Sequence, residues 1–336
     1  MADRGATAES NDRVTSIGLG VLGARSTVAR LAILPAIDAS ERVQLVASAS
    51  LGGPVPERWA STSVDGYEDV IDHPDVDAVY IPLPNGMHEQ WTLRCIEAGK
   101  HVLCEKPLAP TPEAARRMAR AADDAGVLLA EAWMTPFAPR WVEALRLAST
   151  GLVGEITEIR SDFTFTIGPE AADNYRWDPM LGGGALLDVG IYCLGPIVAM
   201  WGSSPSAVTA ETVTSPTGVD AATSATLTFG TDRTASISCS FVDHETQRLE
   251  LIGTDGAIIL DGEAHTGAVD ARNITFRSVG GDESPIDVAT TDPYRAMIDT
   301  FAATVNGDGH WPRPVPESIA LLELIERIRT EGSSTS

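Results

Sequence analysis

The sequence predicts an α/β protein of two parts: an amino-terminal parallel sheet, and a carboxyl-terminal α+β region with an open, mostly antiparallel sheet. The length of 336 residues is about twice that of a typical domain. Short β-branched runs alternate with helical stretches up to residue 133, a pattern typical of βαβ units, and Thr- and Ser-rich strands dominate afterwards. We therefore expect a flexible tail at residues 1–12, a first domain over 13–133 and a second over 134–330.

Each element of the first domain has a local signal. The predicted strands are Val14–Leu22, Val43–Ala49, Ala78–Ile81, His101–Cys104 and Val127–Ala130. A helical stretch follows the first strand at Thr27–Ile37. The clearest helix lies between the last two strands: Thr111 is its N-cap, Pro112 its first residue and Gly126 its stop.

The second domain begins with a helix that ends at Gly151 and closes with helices over Arg295–Val305 and Ser318–Arg329. Between them, Thr223–Phe229 and Thr234–Phe241 predict a hairpin. The second arm alternates apolar residues with Thr and Ser, and neither face carries a charge. Either another subunit covers the uncharged polar face, which would make the protein a homodimer or homotetramer, or the sheet is polar and exposed.

Composition argues against several classes of partner. A formal net charge of −23 repels phosphate backbones and anionic lipids, so we expect neither nucleic acid nor a membrane surface as a partner. The first dozen residues lack the apolar stretch of a signal peptide, which favours a cytoplasmic protein. Four scattered cysteines and isolated histidines predict free buried thiols and no metal site. They are Cys95, Cys104, Cys193 and Cys239.

The segment Gly18 to Gly23 fits the pattern G-x-G-x-x-G, in which backbone amides approach a pyrophosphate where side chains would obstruct it. Two registers are open. Either the glycines from Gly18 form the turn, or the strand continues through Leu22 and the turn is Gly23-Ala24-Arg25. We favour the second, because a strand ending at Ile17 would be short. Gly20 and Gly23 are candidate cofactor contacts.

The end of the second strand bears on the choice of cofactor. An acidic residue there usually binds the adenosine ribose of NAD, but this chain offers only hydroxyls such as that of Ser50. A 2′-phosphate would require an arginine, and Arg25 is the nearest in sequence. We therefore expect NAD(P), with a slight preference for NADP.

Two clusters could carry chemistry. Lys106, one of only two lysines, follows the fourth strand at the sheet edge where open α/β sheets bind ligands. Gly182 to Gly184 precede an apolar helix whose polar residues include Asp188 and Tyr192, four apart and therefore on one face. Because burying a lone carboxylate is costly, we expect Asp188 to meet a cation, and Lys106 is the nominee.

The chain resembles the glucose-fructose oxidoreductase, inositol dehydrogenase and rhizopine-catabolism family (Gfo/Idh/MocA), and most of all its dihydrodiol dehydrogenase and D-xylose 1-dehydrogenase branch. The resemblance rests on five motifs and on the glycine-rich helix. These segments are 20–24 (GVLGA), 79–88 (VYIPLPNGMH), 97–107 (EAGKHVLCEKP), 131–134 (EAWM), 176–179 (RWDP) and 182–193 (GGGALLDVGIYC). It implies a Rossmann dinucleotide-binding domain followed by a substrate-binding domain.

The resemblance also implies roles. Lys106 and Tyr192 would be the catalytic pair, with Asp188 in support, and Tyr192 would act as a base whose pKa Lys106 lowers. Cofactor contacts would come from Gly20, Gly23, Ala24, Arg25, Ser50, Pro82, Asn85, His88, Glu105 and Lys106. Substrate contacts would come from Lys106, Arg176, Trp177, Asp188 and Tyr192.

The implied reaction moves a hydride between nicotinamide and a secondary alcohol, or the anomeric carbon, of a sugar, polyol or cyclic diol. Two alternatives remain at this point. One is a reductase of nucleotide-linked ketosugars, which would use the same residues in the opposite direction. The other is a cofactor-sensing regulator that has kept the fold and lost catalysis.

Overall fold

A computed structural model describes residues 16–266 and 273–332. The tail predicted at residues 1–12 lies outside these ranges. The first sheet has five parallel strands in the order β2-β1-β3-β4-β5. They are β1 (Ile17–Leu22), β2 (Val43–Ala49), β3 (Ala78–Ile81), β4 (His101–Glu105) and β5 (Leu129–Ala132). Their order reverses between β1 and β3, and a ligand crevice is expected at the carboxyl ends of these strands.

The glycine turn adopts the second of the two predicted registers. β1 continues through Leu22, and Gly23 follows with a φ of 87°, a conformation that favours glycine. Its N–H donates to the carbonyl of Ala49 at 2.8 Å, which fixes the turn against β2. Gly20 lies inside the strand, where a Cβ would come within 2.5 Å of a Val70 methyl group, so this glycine serves close packing.

Helices cover the first sheet. A π-helical turn (Ala29–Ile33) leads into α1 (Leu34–Asp38), followed by α2 (Tyr67–Ile71), α3 (His88–Glu97) and α4 (Pro112–Ala125). The predicted ends of α4 are confirmed: Thr111 Oγ1 accepts from the Ala114 N–H, and Gly126 has a φ of 67°. The Val127 N–H still donates to Ala122 O at 3.1 Å. Val127 therefore still belongs to the C-terminal end of α4, and β5 begins two residues later than predicted.

The second sheet has eight strands in the order β13-β12-β11-β10-β6-β9-β8-β7. They are β6 (Ile156–Thr166), β7 (Ala207–Thr214), β8 (Asp220–Phe229), β9 (Arg233–Ser240), β10 (Val242–Gly253), β11 (Gly256–Asp261), β12 (Asn273–Ser278) and β13 (Glu283–Asp287). Only the pairing of β6 with β9 is parallel among the described strands of this sheet. The open, mostly antiparallel sheet is thus confirmed, and so is the hairpin, since β8 pairs with β9.

The glycine-rich segment lies in the interior. α5 (Pro139–Ser149) and α6 (Ile191–Trp201) pack on the second sheet, and a π-helical turn (Leu186–Gly190) precedes α6. The stretch Pro179–Trp201 is long and apolar enough to cross a membrane, but 83% of its most apolar window is buried inside the fold, as in a core helix. All four cysteines are free and buried, as predicted.

The two closing helices, α7 (Pro293–Val305) and α8 (Val315–Gly332), return to the first sheet. Met297 and Phe301 of α7 share an apolar core with Ile17 of β1. In addition, the Glu131 carboxylate of β5 pairs with Arg313 and accepts from Ser318 Oγ at 2.7 Å. The boundary at residue 133 stays a prediction, and the final helices contact both sheets.

Candidate active site

Two adjoining cavities meet where the carboxyl edge of the first sheet faces the second sheet. The loop cavity, of about 710 Å³, lies beside the glycine turn and is lined by Arg25, Pro82 and Asn85 among others. The sheet cavity, of about 590 Å³, is lined by strand residues of the second sheet. Both cavities are lined by Lys106, Arg176, Asp188, Tyr192 and Thr266. The two predicted chemical clusters therefore meet at one junction.

Lys106, Asp188 and Arg176 form an ion cluster at this junction. Lys106 follows β4, and its Nζ donates to Asp188 Oδ1 at 3.0 Å and to the Asp188 carbonyl at 2.8 Å. Arg176 Nε donates to Asp188 Oδ2 at 2.5 Å. The Asp188 side chain is only 4% exposed. The expected Lys106–Asp188 pair is thus present, and Arg176 provides a second cation that the sequence did not assign to this carboxylate.

The cluster fixes the charges of its members. Burial alone would raise the pKa of Asp188, but Lys106 and Arg176 hold it far below its usual range. Burial alone would lower the pKa of Lys106, but the Asp188 carboxylate outweighs burial and raises it. Lys106 therefore remains an ammonium ion, and Asp188 remains ionised.

Tyr192 lies beside this ion cluster, and the ammonium of Lys106 is 4.9 Å from the centre of its ring. Burial, Glu105 and Asp188 raise the pKa of the Tyr192 phenol well above its usual value. The net shift is therefore upward, because burial and the two carboxylates outweigh any lowering of this pKa by Lys106. The lysine approaches the face of the ring, and the two carboxylates add to the effect of burial.

The loop cavity has the features of a dinucleotide site. Gly23 has a φ of 87°, which disfavours other residues, and a Cβ there would lie 2.8 Å from a Leu83 methyl group. The end of β2 (Ser48, Ala49) presents no carboxylate that would repel a 2′-phosphate. The Asn85 amide donates to Gly182 O at 2.9 Å, which joins the loop after β3 to the glycine-rich segment.

Glu105 is nearly buried at the wall of the loop cavity. Its carboxylate accepts from the Tyr80 hydroxyl at 2.6 Å and from the Lys106 N–H at 3.2 Å. Burial raises the pKa of Glu105 to about 7, although both hydrogen bonds act in the opposite direction. This carboxylate is therefore partly protonated near neutral pH.

Several predicted site residues do not line either cavity. His88 is fully buried, and its ring nitrogens lie 2.9 Å from Pro107 O and 2.8 Å from Leu83 O. Its ring bridges the loop after β3 and the loop after β4, so neither ring nitrogen is free to contact a nicotinamide. Trp177 packs edge-on against Phe241. Gly20, Gly23, Ala24, Ser50 and Trp177 are likewise absent from the cavity linings.

The sequence did not indicate the walls of the sheet cavity. These residues are Phe163, Phe165, Thr166, Glu245, Gln247 and Thr266. Tyr175 and Tyr294 line the loop cavity and were also missed. The alternation of a strand shows which side chains share a face, but it does not show that the face covers a site.

Comparison with known proteins identifies the type of site. Residues 16–132 match the oxidoreductase family with an NAD-binding Rossmann fold, and residues 141–259 match the GFO/IDH/MocA C-terminal domain. A D-xylose 1-dehydrogenase (NADP(+)) of Haloferax volcanii is 32% identical over 92% of this chain and 95% of its own length. The chain belongs to the GFO/IDH/MocA family. It is an oxidoreductase that uses a nicotinamide dinucleotide.

Other members of the family point to related chemistry. A dTDP-3,4-didehydro-2,6-dideoxy-alpha-D-glucose 3-reductase of Saccharopolyspora spinosa is 31% identical over 95% of this chain and 99% of its own. The crystal structure of a 3-ketoreductase from Actinomadura kijaniata with NADP and TDP-benzene has a TM-score of 0.87 at 27% identity, and the match covers 94% of this chain and 98% of that one. This GFO/IDH/MocA member is therefore similar to enzymes that work in both redox directions.

Proposed function

We propose that this enzyme transfers a hydride between NAD(P) and a secondary alcohol or anomeric carbon of a small neutral carbohydrate or cyclic diol bound in the sheet cavity. The observation that carries the proposal is the convergence of Lys106, Asp188 and Tyr192 where the two cavities meet. Arg25 beside the glycine turn, and a β2 that ends without a carboxylate, support a preference for NADP.

The charges of the sheet cavity favour a neutral substrate. Lys106 and Arg176 both pair with Asp188, and Glu245 adds a negative charge at the wall. No further lysine or arginine lines this cavity within residues 16–266 and 273–332. A phosphate or carboxylate would therefore be desolvated without a free cation to compensate it.

The protonation states of Tyr192 and Lys106 define the proton transfer. In reduction, the neutral phenol of Tyr192 donates its proton to the developing alkoxide, while the Lys106 ammonium stabilises the negative charge. In oxidation, the phenolate form of Tyr192 accepts the hydroxyl proton of the substrate. Bound NAD(P) supplies or receives the hydride. Asp188 keeps Lys106 charged and fixed in both directions.

A nucleotide-linked ketosugar is the second candidate substrate, because the S. spinosa relative is a reductase of a dTDP-linked ketosugar and the A. kijaniata 3-ketoreductase binds TDP-benzene. A nucleoside diphosphate that competes with substrate would favour this reading. A non-catalytic regulator is the third reading, and it would bind cofactor stoichiometrically without any turnover. The presence of Lys106, Asp188 and Tyr192 together supports an enzyme.

The deciding experiment follows the absorbance of reduced cofactor with NAD and NADP against aldoses, inositols and cyclic diols. We expect turnover with at least one of them, and we expect Lys106→Ala and Tyr192→Phe each to abolish it while the Kd for cofactor changes little. Near-normal activity of either variant with the true substrate would refute the assignment.

The quaternary structure and location are part of the same proposal. We propose a homodimer or homotetramer that associates through the second sheet by polar contacts, because the outward side of β9 carries Thr234, Ser236 and Ser238 and the residues of β6 that pair with them are charged. We place the enzyme in the cytoplasm. Light scattering that gave only the mass of one chain would contradict the association.

A further inference from the structure

The amide of Gln247 has a defined orientation at the wall of the sheet cavity. This residue lies on β10, and one atom of its amide faces the backbone N–H groups of His265 and Thr266, at 3.3 and 3.2 Å. The Thr266 hydroxyl also lies 3.1 Å from it. Backbone N–H groups can only donate, so the atom that they face must be the oxygen Oε1.

Because Oε1 accepts these bonds, the Nε2 group of Gln247 must point away from them. Gln247 is only 8% exposed, yet it lines the sheet cavity. Across residues 16–266 and 273–332, Nε2 makes no hydrogen bond to the protein, and it is not among the fully enclosed polar atoms that lack a partner. Its N–H groups are therefore accessible from the cavity, where a ligand or solvent can accept from them.

The surroundings define what that ligand carries. Glu245 precedes Gln247 by two residues on β10 and lines the same cavity, about 7 Å away along the strand. Phe163, which pairs with Gln247 across the sheet, and Phe165 add aromatic surface. A donor, an acceptor and an aromatic surface together suit a molecule with several hydroxyl groups and an apolar C–H face.

We propose that Gln247 is a specificity-determining residue whose Nε2 donates to a hydroxyl or ring oxygen of the substrate, away from the reacting carbon. This inference rests on the proposed function and adds a contact to it. The hydrogen bond forms equally in the ground state and the transition state, so it contributes to KM and leaves kcat nearly unchanged.

The substitution Gln247→Glu tests this contact. It keeps an oxygen acceptor for His265 and Thr266 but replaces the donor by a carboxylate oxygen. We expect KM for the substrate to rise roughly 10- to 100-fold, with kcat within about threefold and the Kd for cofactor unchanged. Gln90→Glu, whose side chain lines neither cavity, is the matched control and should leave KM unchanged.

A second measurement compares substrate analogues with wild type and with Gln247→Glu. Among monodeoxy analogues of the substrate, one should raise KM at least about tenfold with wild type and show little further change with Gln247→Glu. A KM for the variant within twofold of wild type, a loss confined to kcat, or no discriminating analogue would each overturn the inference. Absence of turnover by wild type with any alcohol would instead overturn the proposed function.

Discussion

The substitution Asp188→Asn tests the ion cluster most directly, because it removes one negative charge from between two cations. The carboxylate lies 3.0 Å from Lys106 Nζ and 2.5 Å from Arg176 Nε. The side chains of Lys106 and Asp188 are 13% and 4% exposed, so solvent screens the pair little. Removing one partner of a buried pair costs about 3–5 kcal/mol, and we expect a loss of about 3 kcal/mol in the free energy of unfolding at pH 7.

The loss should depend on pH. In the wild type, Asp188 raises the pKa of Lys106 against the effect of burial. In the variant, we expect burial and Arg176 to outweigh the smaller opposing effects of Tyr175 and Glu105, so the folded state releases the Lys106 proton at a lower pH than the unfolded state does. Stability then increases with pH, because the unfolded state binds more protons. The loss of stability in Asp188→Asn should therefore become smaller as the pH approaches the pKa of lysine in the unfolded chain.

Urea unfolding followed by tryptophan fluorescence at pH 7 and pH 9.5 measures both effects. The control is Asp178→Asn, since Asp178 caps the N–H of Met180 at 2.8 Å and asparagine caps equally well. It should change the free energy of unfolding by less than about 0.5 kcal/mol. A deficit below about 1 kcal/mol for Asp188→Asn, or an equal deficit at both pH values, would refute the reasoning.

Two further predictions concern protons beside the cluster. The folded state holds the Glu105 proton up to about pH 7, whereas the unfolded state releases it near 4.5, so stability falls between these values. Urea midpoints should show Glu105→Gln gaining up to about 3 kcal/mol over wild type across this range, and parallel pH profiles would contradict it. Because the pKa of Tyr192 is raised, kcat/KM for oxidation should rise about tenfold per pH unit from pH 7 to 9. Reduction should stay nearly constant over that range, and a flat oxidation profile would exclude Tyr192 as the base.

The first sheet could be predicted because its signals are local. Strands buried on both faces appear as short apolar runs, and Thr111 and Gly126 mark the two ends of α4 by their own conformations. The Lys106–Asp188 pair could also be predicted, although 82 residues separate the two, because a lone carboxylate in an apolar helix needs a cation.

Other parts of the site depend on tertiary contacts that no local pattern shows. Arg176 was expected to reach cofactor or substrate; it lines both cavities, and its guanidinium also pairs with Asp188, which the sequence did not indicate. His88 shares a motif with residues that line the loop cavity, but its ring is buried and binds the carbonyl groups of Leu83 and Pro107. Gln247 follows the alternation of an ordinary strand, and only the packing of the loop at Thr266 orients its amide.

The positive charge of Lys106 depends on carboxylates that lie in different parts of the chain. Glu105, its neighbour in sequence, keeps its own proton up to about pH 7 and so supplies little negative charge at lower pH. Asp188 supplies the larger effect, and it lies after the glycine-rich segment, beyond β6. At this buried junction, burial without the Asp188 carboxylate would lower the pKa of Lys106. The ammonium that stabilises an alkoxide is therefore both kept charged and fixed in position by a residue that follows β6, so the two sheets must be docked to place the cation beside the cavity that it serves.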